Sequence, residues 1–134
     1  MSTTTPDRTS RHPYGAALEA GDLEAFSATL HPDVVLYTPG FEVPIRGRDD
    51  VVASFTALAG NVESLEFVDE LWAESSHVLI FRLVVDGDQI DGADHLRFDA
   101  DGLVTRIVIS ARPLAALQAL AARMADTHAR LTAA

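Results

Sequence analysis

At 134 residues the chain fits one domain, large enough for a core and too small for two ordinary ones, so a pocket has to lie inside the fold. Hydrophobic residues make up 48% without any apolar run of bilayer-spanning length, and the lack of cysteine excludes a disulfide framework and a thiolate zinc site. A formal net charge of -10, spread along the chain, opposes phosphate backbones and anionic lipid, which argues against nucleic-acid and membrane partners.

Residues 1–11 are polar, rich in Ser and Thr, and lack the apolar core of a secretory signal. They read as a disordered tail of a cytoplasmic protein, ahead of a single domain over 12–134. Pro13 suits a first helical turn, and Tyr14, Ala17, Leu18, Leu23, Phe26 and Leu30 recur at helical spacing. Gly21 followed by Asp22 breaks that pattern as a stop and a new N-cap, which predicts two consecutive helices. His31-Pro32-Asp33 predicts a turn, Val34 to Tyr37 a strand, and Pro39, Gly40 and Pro44 an irregular loop. Gly47 to Asp50 opens a helix with its acidic pair at the positive end and Val51, Val52, Phe55 and Leu58 on its apolar stripe.

Beyond Gly60-Asn61 the period changes from helical to alternating, which predicts strands near 62–74, 77–86, 89–98 and 103–112. Asp86-Gly87 and Asp101-Gly102 are the hairpin turns. Pro113 starts a final helix over 113–132 whose stripe from Leu114 to Leu131 either lids a hollow or packs on a second subunit. Helices followed by antiparallel strands make an α+β domain, with a strongly curved sheet wrapped on the N-terminal helices to leave a conical hollow.

Within that pattern one acid stands out. Period two along 90–98 puts Ile90, Gly92, Asp94, Leu96 and Phe98 on one face, with Asp91, Ala93, His95 and Arg97 on the other. Asp94 is thus a lone acid among inward apolar residues, where desolvation raises a carboxyl pKa and makes it a donor or general acid. The alternative is an aspartate satisfied by an arginine or backbone amides. Alternation also puts Asp69 among Leu65, Phe67, Leu71 and Ala73, a second candidate carboxylate, although a one-residue shift turns Val68 and Trp72 inward instead. Tyr37 and Thr38 end a strand beside a Pro/Gly loop, the usual place for pocket-mouth residues, and only one of the two faces inward. Phe55, Phe67, Leu79, Phe81, Leu83, Leu96, Ile107 and Ile109 are the expected ligand-binding wall. The five histidines lack paired ligand spacing and predict no metal site, with His31 kept as a minor candidate base.

The run Tyr14-Gly15-Ala16-Ala17-Leu18-Glu19-Ala20-Gly21-Asp22-Leu23-Glu24-Ala25-Phe26, with Leu30-His31-Pro32-Asp33-Val34, Gly47-Arg48-Asp49 and Asp94-His95-Leu96-Arg97-Phe98, resembles the NTF2-like superfamily in its SnoaL-like and ketosteroid-isomerase-like branches. The likeness covers roughly 13–112 and implies the NTF2-like, or cystatin-like, cone. It also implies roles: Tyr14 falls on the isomerases' tyrosine donor and Asp94 on their protonated aspartic acid. Their general-base aspartate falls on Thr38, whose hydroxyl is no useful proton acceptor near neutral pH. The expectation is therefore an enzyme working without a cofactor, by acid–base chemistry, on a small carbonyl, polyketide-like or epoxide substrate. Asp94, Tyr14, Thr38 and Asp69 are the candidate catalytic residues. The alternative is a non-catalytic ligand-binding or assembly domain. A homodimer is expected through the outer sheet face, with Val104 and Val108 as its outward apolar groups.

Overall fold

The computed structural model describes residues 12–133, so the expected tail lies outside the described residues. In chain order the elements are α1 (Pro13–Glu19), α2 (Leu23–Ala28), β1 (Leu30–Tyr37), β2 (Ile45–Arg46), α3 (Arg48–Ala59), β3 (Ser64–Trp72), β4 (Ser76–Val85), β5 (Asp88–Phe98), β6 (Val104–Arg112) and α4 (Leu114–Leu131). The local chemistry sets most boundaries. Pro13 sits in the first turn of α1, and Gly21 takes a φ of 68° before Asp22 caps α2 by accepting from the Ala25 amide at 3.0 Å. Asp86 and Gly87 adopt φ of 51° and 78°, the double left-handed pair that closes a tight hairpin between β4 and β5.

The strands form one sheet in the order β2-β1-β6-β5-β4-β3, antiparallel except for the β1–β6 pair. The predicted turn at His31-Pro32-Asp33 is instead part of β1. Its pairing with β6 slips between Leu30 and Val35, and β2 meets β1 only at Val35 and Leu36, so Pro32 needs no ladder donor. Strand β2, in turn, arises at the end of the segment expected to be irregular.

Inward side chains of the sheet, Leu36, Leu79, Ile90, Leu96 and Ile107 among them, pack on Tyr14, Phe26 and Val51 of the helices. Val104 also lies in this core with no exposed surface, which corrects its expected outward position. The pairing of β5 with β6 slips between Arg97 and Phe98, so alternation counted back from Val108 fails at Val104. Two glycines permit close approach. A Cβ at Gly15 would stand 2.8 Å from Leu79 Cδ2, so the bare glycine lets α1 seat on the sheet without displacing that side chain. At Gly92 a Cβ would lie 2.5 Å from Phe81 Cζ, and the Phe81 ring therefore crosses the bare β5 backbone.

Helix α4 lies over the open side of this arrangement. It packs along α3, and it is held by an Arg123–Asp86 ion pair and by the close fit of Gly40 against Ala121. Leu120 and Met124 are buried, whereas Leu114, expected on the buried stripe, is 68% exposed.

Candidate active site

Asp94 sits in mid-strand on β5, with Leu79 of β4 and Ile109 of β6 as cross-strand neighbours. Only 3% of it is exposed. Its Oδ2 accepts a 2.9 Å hydrogen bond from the Tyr14 hydroxyl, a contact between residues 80 apart in sequence. Tyr14 is held in place by edge-on packing with Phe26 and Phe55, and by His12, whose Nδ1 accepts from the Tyr14 amide at 3.2 Å.

Burial pushes the Asp94 carboxyl up to about 7, against a smaller opposing effect of the Tyr14 hydrogen bond. The Tyr14 hydroxyl is driven well above the usual tyrosine range, chiefly by burial and then by the charge of Asp94. Below neutral pH the pair is a phenol donating to a carboxylic acid. The tyrosine proton is spent on Asp94, which leaves the acid's own proton as the one available to a ligand.

Asp94 borders a cavity between the sheet, α3, α4 and the segment after β1. Its interior offers about 90 Å³ to the centres of water-sized molecules. One water needs only roughly 10–15 Å³ by that measure. The wall is largely apolar: Leu36, Phe55, Leu58, Phe67, Phe81, Leu83, Ile90 and Ile109 face Leu117, Leu120 and Met124 of α4 across it. Its polar side chains are Thr38, Ser54, Asp94 and His128, so among the described residues Asp94 is the one carboxyl in the wall.

Of the expected residues, Asp94, Thr38, Phe55, Phe67, Phe81, Leu83 and Ile109 come together around this space. Tyr14 lies behind Asp94 and not in the wall, so its reach to a ligand passes through the acid. Leu79, Leu96 and Ile107 are fully buried core beneath the cavity rather than part of its surface. Tyr37 faces the other way: Val34 and Leu36 take the inward positions of β1, and the Arg106 guanidinium lies 4.9 Å from the Tyr37 ring centroid.

Asp69 is exposed and outside the cavity. The β3–β4 pairing runs Phe67 to Phe81 and then Asp69 to Ile80, so Val68 is an extra residue. This bulge reverses the alternation: Leu65 and Phe67 face inward before it, but Asp69 and Leu71 face outward after it. His31 is likewise outside the wall, with its Nδ1 accepting from the Asp33 amide at 2.9 Å. The sequence reading missed Phe41, Ser54 and His128 and left the α4 stripe open between lidding the hollow and packing on a second subunit, whereas Leu117, Leu120 and Met124 of that stripe line the cavity. Among the described residues no group of three His, Asp or Glu side chains is placed to hold a metal ion, and no helix is long and apolar enough to cross a membrane.

Known proteins show the same architecture. A bacterial protein with a cystatin-like fold from Silicibacter pomeroyi superimposes with a TM-score of 0.80 at 21% identity, covering 84% of this chain and 80% of that one. A steroid delta-isomerase from Pseudomonas aeruginosa gives 0.78 at 28% identity, with 90% of each chain covered. In sequence, a steroid delta-isomerase from Nocardioides simplex is 32% identical over 96 residues, spanning 69% of this chain and 78% of the relative. The fold is thus the NTF2-like, cystatin-like α+β type that the residues implied. The family model of the SnoaL-like domain matches residues 12–107, and the chain belongs to that family, within the NTF2-like and ketosteroid-isomerase-like group.

Proposed function

We propose that this protein binds a small, mostly apolar carbonyl compound and acts on it by acid–base chemistry, with Asp94 as the hydrogen-bond donor to the substrate oxygen. The observation that carries this reading is a buried carboxyl, pushed up to about 7, at the edge of an apolar cavity. A protonated acid there can donate to a carbonyl and hold the charge that develops on its oxygen as an enolate forms. Tyr14 would act through Asp94, since its hydroxyl already donates to that carboxyl and strengthens its hold on negative charge. Relatives named as steroid delta-isomerases make a steroid-like ketone the first ligand class to examine. The threonine at position 38 favours a second reading, a ligand-binding domain that does not transfer protons, because Thr38 lines the cavity at the position where the family resemblance implies a carboxylate base.

Binding of 2-naphthol, an aromatic stand-in for an enol, tests the donor role of Asp94 that both readings share, and turnover separates the two. Its affinity should fall by about 10-fold or more in Asp94→Ala and by less in Asp94→Asn, which keeps an amide donor. Wild type should leave a 3-keto-5-ene steroid unchanged above background, and Thr38→Asp should convert some of it to the conjugated 4-ene. Affinities unaffected by either Asp94 substitution would rule out the donor role. Efficient isomerisation by wild type would show that the base is not missing.

We also propose a homodimer through the outer sheet face. Val35, Tyr37 and Val108 are only half-buried there, and Val68 and Leu71 on β3 are 46% and 55% exposed. Light scattering at micromolar concentration should give twice the chain mass, and a monomer would refute the pairing.

A further inference from the structure

We infer that His128 is a second ligand-reading group of this cavity, donating a hydrogen bond from Nε2 to a second oxygen on the bound molecule. His128 is 8% exposed, and its ring forms part of the wall that also contains Asp94. It lies on α4, beyond the segment matched by the family model. The Phe41 ring stacks on it at 3.9 Å between centroids and 13° between planes, which fixes the imidazole plane against the segment after β1.

The two ring nitrogens are then unequal. Nδ1 is covered and has no hydrogen-bond partner. A buried N–H without an acceptor costs more than a buried lone pair without a donor, and orphaned donors are correspondingly rarer. A ring carrying a single proton therefore keeps it on Nε2, which makes no hydrogen bond among the described residues. An imidazole donor in an apolar wall, with no protein acceptor, is a polar group whose partner has to come from the ligand or from water.

This narrows the ligand class. Asp94 enters the wall from the sheet, and His128 enters it from α4, which borders the cavity from Leu117 onward. Between these two points the wall is almost wholly aliphatic and aromatic. The molecule that satisfies it is an apolar ring compound with two oxygens: one carbonyl or enol oxygen for Asp94, and one hydroxyl or keto oxygen for His128.

The inference rests on the reading of Asp94 as a ligand donor, and one set of titrations tests the two separately. Binding of 2-naphthol is compared with that of 2,6- and 2,7-dihydroxynaphthalene in wild type, His128→Phe and His128→Gln. Phenylalanine keeps a ring to stack on Phe41 but removes both nitrogens, whereas glutamine returns an N–H near the Nε2 position. Wild type should prefer at least one diol over 2-naphthol by about 5- to 10-fold. The ratio should fall to about 1 in His128→Phe and recover in part in His128→Gln. A ratio has the further merit of being insensitive to a general loosening of the fold. In the unmodified protein, ¹⁵N shifts of the His128 ring should report the Nε2-protonated tautomer.

If 2-naphthol binds with the expected dependence on Asp94 but neither diol is preferred, or if the preference survives in His128→Phe, His128 has no such role. An Nδ1-protonated ring would equally overturn it. If 2-naphthol does not bind wild type, or binds without regard to Asp94, the reading of Asp94 falls and this inference with it.

Discussion

Deletion of all residues after Pro113 should leave a protein that aggregates, or one whose thermal midpoint drops by on the order of 10 °C or more. The helix removed contributes Leu120 and Met124 to the core and Leu117 and Ala121 to the cavity wall. Burying one large aliphatic side chain is worth roughly 1.5–3 kcal/mol, and a whole domain has only about 5–15 kcal/mol to lose. Deletion also uncovers the α3 face beneath the helix, together with Phe41 and Ile109, giving a continuous apolar surface. The removed segment lies outside residues 12–107, which carry the family match, so the truncated chain retains the whole matched region. A soluble truncated protein with an unchanged midpoint would show that the matched region is self-sufficient and that α4 only caps it.

Asp94→Asn should stabilise the fold, and the gain should grow as pH rises from 4 to 7. In the unfolded chain an aspartate releases its proton near 3.9, whereas the folded Asp94 holds it to about 7. Between those values the native state binds the extra proton, so wild-type stability falls with rising pH, by a total on the order of 4 kcal/mol. Asparagine keeps an acceptor for the Tyr14 hydroxyl and has no proton to lose. Any fixed cost of fitting the amide is independent of pH, so the slope of the difference between the two proteins is the quantity to measure. Chemical denaturation at half-unit steps would give it, and parallel stability curves for wild type and variant would show that Asp94 ionises normally.

His77 works in the opposite sense. Burial and the nearby His12 lower its pKa to about 4, so between 4 and 6.5 the unfolded chain is the state with the extra proton. Stability from His77 is present above 6.5 and lost as the pH falls through 4, and the lowered pKa of His12 adds in the same direction. The two trends oppose each other in wild type. Asp94→Asn should therefore also unmask acid sensitivity that the native protein conceals.

Elements with a strong local signal were legible in the sequence. The Gly21-Asp22 break, the Asp86-Gly87 hairpin and the inward face of β5 each follow from chemistry within a few residues. Asp94 could be singled out for that reason, and its pairing with Tyr14 entered only through the family resemblance, because nothing local links positions 80 apart. Asp69 failed for a different cause. A bulge at Val68 is a cross-strand event, and a single strand read alone has no means of registering it. The α4 wall was hidden in a further way: an amphipathic stripe specifies that it will be covered, and not whether by a cavity, a sheet or another molecule.

The seating of α1 carries a consequence for how such an acid can be tuned. Gly15 sets the spacing between α1 and β4, and the next residue back is the tyrosine that reaches Asp94. The Tyr14 bond is what draws the Asp94 pKa down against burial, so the strength of the acid depends on how deeply a neighbouring helix rests on the sheet. A side chain at position 15 is expected to reach the Asp94 carboxyl through Tyr14, although neither Gly15 nor Leu79 lines the cavity.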